Sequence, residues 1–277
     1  MVLRAAIRAW SSWRAICREL RSRRFDLAVD LRGDLREIAL LLRPARARRT
    51  LSYDFAGGGP LLTDVASFTE RKHKIDLMLD LAARAGAADV APRFGIGVRE
   101  AGRTEARRLL LRAGIEGAYV LVHPGTRVPL KRYAALEAAA AELAKGLPDG
   151  VALAWLAPDR ADAFPGPRVD GAGLSVDGLV EIVREARLLL CHDSAPWHVA
   201  QAVGTPAAAI FGPSKPWATG LYPGRNGLAI SLDLPCRDLC DEAVCRYGKV
   251  EKQCLAELAP AQVAGKARAL LPVGVLR

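Results

Sequence analysis

No apolar run in these 277 residues approaches the ~20 that a membrane-spanning helix needs, which argues against an integral membrane protein. No GxGxxG follows an apolar run, which disfavours a nicotinamide-dependent dehydrogenase, and GxxxxGK[ST] is absent, so no Walker loop is present. There is no internal repeat, low-complexity tract or secretory signal, and a cytosolic, reducing compartment is expected. Acids are scarce near the start: residues 1–24 hold seven arginines against Glu19 alone, and 43–49 read RPARARR. With 40 Lys and Arg against 30 Asp and Glu, the net charge is +10. Such an excess suits a phosphorylated substrate or an anionic lipid surface, or forms a solvated helix face. Aromatics make up 6% and are not interleaved with the basic residues, so the stacking platform of a nucleic-acid module is lacking and no nucleic-acid partner is expected.

What is present is globular: half the residues are apolar and a quarter charged. Val2, Leu3, Ile7, Trp10, Trp13, Ile16 and Leu20 recur at helical spacing and predict an amphipathic helix over 1–24. FDLAVDL (25–31) predicts a buried strand, RGDLREIALLLR a helix lasting until Pro44, and ARRTLSY (47–53) a second strand. DFAGGGPLLTD predicts a loop, and 70–86 a helix capped by Gly86. Residues 87–98 carry Pro and Gly with little periodicity and read as a linker, which gives domains at 1–95 and 96–277.

After a helix at 99–113 the pattern becomes stricter. AYVLVHP (118–124), VALAWLAP (151–158), RLLLCHD (187–193), AAAIFGP (207–213) and LAISLDL (228–234) are apolar runs bounded by turn residues and mostly separated by helical stretches. Strands alternating with helices predict crossover connections and a doubly wound parallel sheet, whose ligands bind at the carboxyl ends of strands.

Three of those ends carry anion chemistry. In HPGTRVPLKRY, His123 ends the strand, Gly125 permits a sharp turn, Thr126 offers a hydroxyl and an amide, and Lys131 and Arg132 are expected at the start of the next helix, where amides and dipole favour a phosphate. An ordinary capped turn would use the same residues. In CHDSAPWHVAQAVGTP, Asp193 and Ser194 are expected to cap a helix beginning near Pro196, with His198 one turn in; a cap alone accounts for Ser194, and a satisfied structural histidine for His198. In IFGPSK, Gly212, Ser214 and Lys215 offer amides, a hydroxyl and a charge. Three such loops on three strands are a stronger signal than one. Cys236, Cys240, Cys245 and Cys254 crowd one segment without CxxC pairs, which leaves three readings open: a structural zinc site, unligated thiols, or a redox pair.

HPGT with KRY, DSAPWHVAQAVGTP and IFGPS together resemble glycosyltransferase family 9, the group of the ADP-heptose:lipopolysaccharide heptosyltransferases. KHKIDLMLDLAARAG and FDLAVDLRG also resemble that family's N-terminal domain. The resemblance implies a GT-B-like α/β fold of two Rossmann-like domains facing a cleft. It places Thr126 and Lys131 on the donor's diphosphate, and the reading of the strand-end loops adds His123, Gly125, Arg132, Gly212 and Ser214 to the same pocket. Asp193, Ser194 and Ala195 would hold phosphate and sugar, His198 would complete the wall, and Lys131 and Asp193 would be catalytic. It further implies inverting transfer of a heptose from ADP-heptose to a lipopolysaccharide core or related glycolipid, no required cofactor, and a cytoplasmic protein peripheral at the inner membrane face. The family's first strand and its Gly-Asp loop, source of the expected general base, have no counterpart before the helix at 1–24. Gly33-Asp34 follows a segment that resembles a later strand and is not assigned as that base. The expectation is therefore an incomplete N-terminal domain, with a non-catalytic nucleotide-sugar-binding relative as the alternative to an enzyme.

Overall fold

The structure is a computed structural model that describes residues 2–69, 71–157, 164–240, 244–245 and 252–271. The chain forms two compact units, Met1–Arg93 and Phe94–Arg277. Part of the expected helix at 70–86, the end of the run at 151–158 and much of the segment 236–254 lie outside the described residues. Among the described residues no helix is long and apolar enough to cross a membrane.

The first unit is a parallel three-stranded sheet in the order β1 (Leu27–Val29), β2 (Arg49–Tyr53), β3 (Asp64–Ala66). Its helix Val2–Ser22 precedes β1, and the helix Lys74–Ala85 ends at Gly86 with φ 108°, a left-handed cap that glycine adopts without steric cost. β3 begins at Asp64, the last residue of the stretch expected to be a loop, and continues into residues for which the sequence predicted no element. With only three residues, one of them Asp64, it carries no apolar run to betray it. The helix after β1 also departs from expectation, because it runs past Pro44 to Ala45 through a π-helical stretch, Ile38–Leu42. Proline has no N–H, so Leu40 O, four residues earlier, cannot receive an α-helical bond. The Trp13 indole N–H reaches that carbonyl at 2.8 Å, and Arg21 Nε donates to Pro44 O at 2.9 Å.

The described residues of the second unit form six parallel strands: β4 (Tyr119–His123), β5 (Ala152–Ala157), β6 (Arg168–Asp170), β7 (Leu188–His192), β8 (Ala207–Ile210) and β9 (Gly227–Ile230). Their spatial order is β6-β5-β4-β7-β8-β9. This is the doubly wound arrangement, in which the chain reverses its direction of travel between β4 and β7 and leaves a crevice beyond their carboxyl ends. Side chains alternate across the sheet: Val120, Val122, Leu188, Leu190 and Ile210 enter one core with the helices Leu136–Ala144 and Pro260–Arg268. Leu121, Leu189, Cys191 and Ala209 enter the other, against Leu110, Ile182 and Trp197. Both faces are covered, which is why these strands read as continuous apolar runs. Each fully buried Leu or Ile contributes roughly 1.5–3 kcal/mol. β6, with the sequence RVD at a sheet edge, is the one strand of this unit absent from the sequence reading.

Candidate functional site

The register of the central strands sets the site. His123 at the end of β4 lies beside Cys191 of β7, and His192 at the end of β7 lies beside Ile210 of β8. Three loops therefore leave adjacent strands at one edge, around the crevice between β4 and β7.

The first loop runs from His123 to Tyr133. Thr126 Oγ1 accepts the Val128 N–H at 3.3 Å, tightening the turn. Lys131 and Arg132 are not at a helix start. Pro129–Lys131 form a 3-10 turn, Arg132 is extended at ψ 118°, and the helix begins only at Leu136. Tyr133, between the turn and the helix, has a buried ring and a hydroxyl that donates to Leu258 O at 2.7 Å. The turn aims Lys131 across the crevice, where Nζ meets Asp193 Oδ2 at 2.7 Å, with the two side chains only 13% and 6% exposed. A buried pair of this kind is costly to break, since either partner alone is an uncompensated charge.

His192 is buried, and its Nε2 accepts the Tyr133 N–H at 3.0 Å. That acceptor role places the ring proton on Nδ1. Burial lowers the pKa of His192 to about 4, with the nearby His123 and Arg132 adding to the effect, and burial lowers His123 to about 4 as well. Both imidazoles are neutral at pH 7. Each Nδ1 is buried without a hydrogen-bond partner, as is Oγ of the fully buried Ser214 in the third loop. Buried polar atoms are almost always paired. Here three unpaired ones sit at the ends of three neighbouring strands.

Ser194 occupies the N-cap position of the helix Ala195–Val203, but its side chain makes no capping bond; Oγ instead donates to His192 O at 3.2 Å. The capping expectation is corrected accordingly: Ser194 folds back onto its own strand end, and Asp193 is engaged with Lys131. Ala195 opens the helix, and His198 is exposed one turn along it. Gly125 is half-buried, and Gly212 is buried so tightly that an added Cβ would stand 2.8 Å from Leu255 Cγ.

Cys236, Cys240, Cys245 and Cys254 line one cavity of ≈30 Å³ with Leu130, Gly212, Pro213 and Arg237. All are free thiols, and burial pushes Cys254 up. Among the described residues no three His, Cys, Asp or Glu side chains are arranged to hold a metal ion. Two residues of this edge escaped the sequence reading. His192 looks like the polar end of a strand until Tyr133, 59 positions away, is brought to it. Arg237 reaches back 25 positions to Gly212 O.

The sequence model of glycosyltransferase family 9 (heptosyltransferase) matches residues 13–251. The chain belongs to glycosyltransferase family 9. All three loops lie inside the matched span. Over 110 residues the chain is 30% identical to lipopolysaccharide heptosyltransferase 1 of Pseudomonas aeruginosa, a match that spans 35% of this chain and 30% of that protein. The family-9 glycosyl transferase of Veillonella parvula superposes with a TM-score of 0.71 at 20% identity, over 94% of this chain and 78% of its own. The E. coli ADP-heptose lipopolysaccharide heptosyltransferase II superposes at 0.66 and 19% identity, over 95% of this chain and 81% of its own. These likenesses show the GT-B-like α/β fold of parallel sheets.

Proposed function

We propose that the chain is a glycosyltransferase that takes a heptose from ADP-heptose and passes it to a lipopolysaccharide core or related glycolipid. The observation that carries this reading is the Lys131–Asp193 pair, set among three unpartnered buried polar atoms at the crevice of a family-9 chain. The E. coli relative's name, an ADP-heptose heptosyltransferase, supports the donor.

In this reading the diphosphate lies over the first loop, against the Gly125 and Thr126 amides, with Lys131 and Arg132 offsetting its charge. The neutral Nδ1 of His123 and the Ser214 hydroxyl line the same pocket, and Gly212, with no Cβ, lets Leu255 back the loop closely. Asp193, released in part from Lys131 when the diphosphate arrives, accepts hydrogen bonds from sugar hydroxyls. Ser194 and Ala195 flank it, and His198 closes the wall. The acceptor hydroxyl oxygen attacks the anomeric carbon and gives up its proton to solvent water, the bond from that carbon to the diphosphate oxygen breaks, and ADP leaves with inversion. Negative charge grows on the departing diphosphate, where Lys131 stabilises the transition state more than the ground state. The cations of the loop do this without a required metal.

The glycolipid acceptor and a peripheral station on the inner membrane face fit the first unit's surface. Trp10 is 58% exposed on a helix that also carries Arg14, Arg18 and Arg21, and anionic headgroups attract such rows at about 1 kcal/mol per basic residue.

Calorimetric titration with ADP tests the pocket. Lys131→Ala and Asp193→Ala should each weaken binding roughly ten- to a hundredfold, the worth of one charge-assisted contact. Unchanged affinity in both variants would overturn the assignment. Binding by the wild type without transfer of heptose to a lipopolysaccharide-core acceptor would leave a donor-binding relative in place of the enzyme.

A further inference from the structure

The backs of two donor loops are held by one later segment. Arg237 closes a 3-10 turn, Pro235–Arg237, in the cysteine-bearing stretch, and is buried at 6% exposure. Its guanidinium meets carbonyls: Nη1 donates to Gly212 O at 2.8 Å and to Ser214 O at 2.6 Å, and Nη2 donates to Leu232 O. Because a trans peptide holds C=O and N–H on opposite sides, drawing Ser214 O toward Arg237 turns the Lys215 N–H the other way. The backbone dipole of the loop is thus oriented from behind. Leu255, on the helix Gln253–Ala256, packs against Gly212 and prevents the loop from sinking. In the same segment Lys252 Nζ donates to Pro129 O at 3.3 Å, on the turn that carries Lys131. The buried Tyr133 hydroxyl on Leu258 O completes the attachment.

We infer that Arg237 is a positioning residue for donor binding, and that the described stretches 235–240 and 252–258 act as a clamp that holds the loops after β4 and β8 in register with each other. This rests on the donor reading above. A guanidinium suits the task where an ammonium does not: its planar fork directs two nitrogens at fixed angles to separate carbonyls. Its buried positive charge also lies behind the loop and favours an anion in front of it. The Lys252 contact, single and at the surface, is the weaker arm.

The test uses the full chain, ADP calorimetry and thermal melts. Arg237→Lys should keep a cooperative melt and lose roughly tenfold or more in ADP affinity, with Lys252→Ala losing about two- to threefold. Adding guanidinium at millimolar concentration to Arg237→Gly should restore ADP binding at an unchanged melting temperature, and should do nothing for Lys131→Ala. Lys131→Ala weakened but Arg237→Lys equal to wild type would overturn the clamp alone. So would a loss in Arg237→Gly that guanidinium does not recover while the melt stays native. No ADP binding by the wild type would overturn the donor reading beneath it.

Discussion

The two units spend their strand-end polar groups in opposite ways. In the first, Asp30 follows β1 and is fully engaged: it accepts the Gly33 N–H and the Ser52 hydroxyl, each at 2.6 Å, and the Arg32 N–H at 3.2 Å. Nearby Asp34 receives the Arg36 N–H at 2.8 Å and pairs with the Arg36 guanidinium, which holds its carboxyl well below the usual carboxylate range. In the second unit the equivalent edge leaves His123, His192 and Ser214 each with an unpaired atom. A parallel sheet thus presents the same edge twice, once closed upon itself and once left incomplete. Incompleteness at a buried edge is costly, and a ligand that completes it recovers the cost.

The widest test of this contrast is Asp193→Ala, which strands Lys131 and should cost about 3–5 kcal/mol in urea unfolding. Replacing both partners, Lys131→Met with Asp193→Leu, should recover most of that stability while leaving no measurable ADP binding. If the double variant is as unstable as the single one, the pair is a structural element and not a ligand site. In the first unit Asp30→Ala should cost about 2–4 kcal/mol, since two backbone amides and a fully buried hydroxyl lose a charged acceptor. Calorimetry on that variant should give ADP affinity within about twofold of wild type.

Proton linkage separates the edges further. His123 and His192 stay neutral in the fold down to about 4, against 6.5 for an ordinary imidazole. Between those values the unfolded chain binds more protons than the folded one, so stability rises with pH across the window and is lost as pH falls from 6.5 toward 4. Urea midpoints measured over that range should slope accordingly, and the His123→Gln, His192→Gln variant should flatten the slope. The smallest effect is Ser52→Ala, about 1 kcal/mol, because Asp30 keeps its two amide donors.

Much of the second unit was legible because burial on both sheet faces writes a strand as an unbroken apolar run, and five of its six strands announce themselves so. Two edge strands do not: DVA and RVD are short and half-exposed, and only pairing with the strand that lies 13 residues earlier in the chain reveals them. The loops were legible as types of chemistry, since Gly, Thr, Lys, Asp and Ser at strand ends have few other uses in combination. Their wiring was not. Nothing local to Lys131 predicts that the helix will begin only at Leu136, and nothing local to Arg237 or His192 names the backbone groups they serve, because those contacts exist only after the sheet has brought distant segments together. The resemblance to family 9 supplied what spacing could not, the donor proposed above for these groups.

The proline inside the second helix has a consequence beyond local geometry. An apolar seam between two helices fixes how deeply they sink together but tolerates sliding along their length. The bond from the Trp13 indole to the Leu40 carbonyl, with Arg21 on the Pro44 carbonyl, adds two index marks to such a seam. The first helix therefore has one longitudinal setting, and Arg14, Arg18 and Arg21 stand at one fixed height, like teeth on a key whose bow has been notched by a missing N–H.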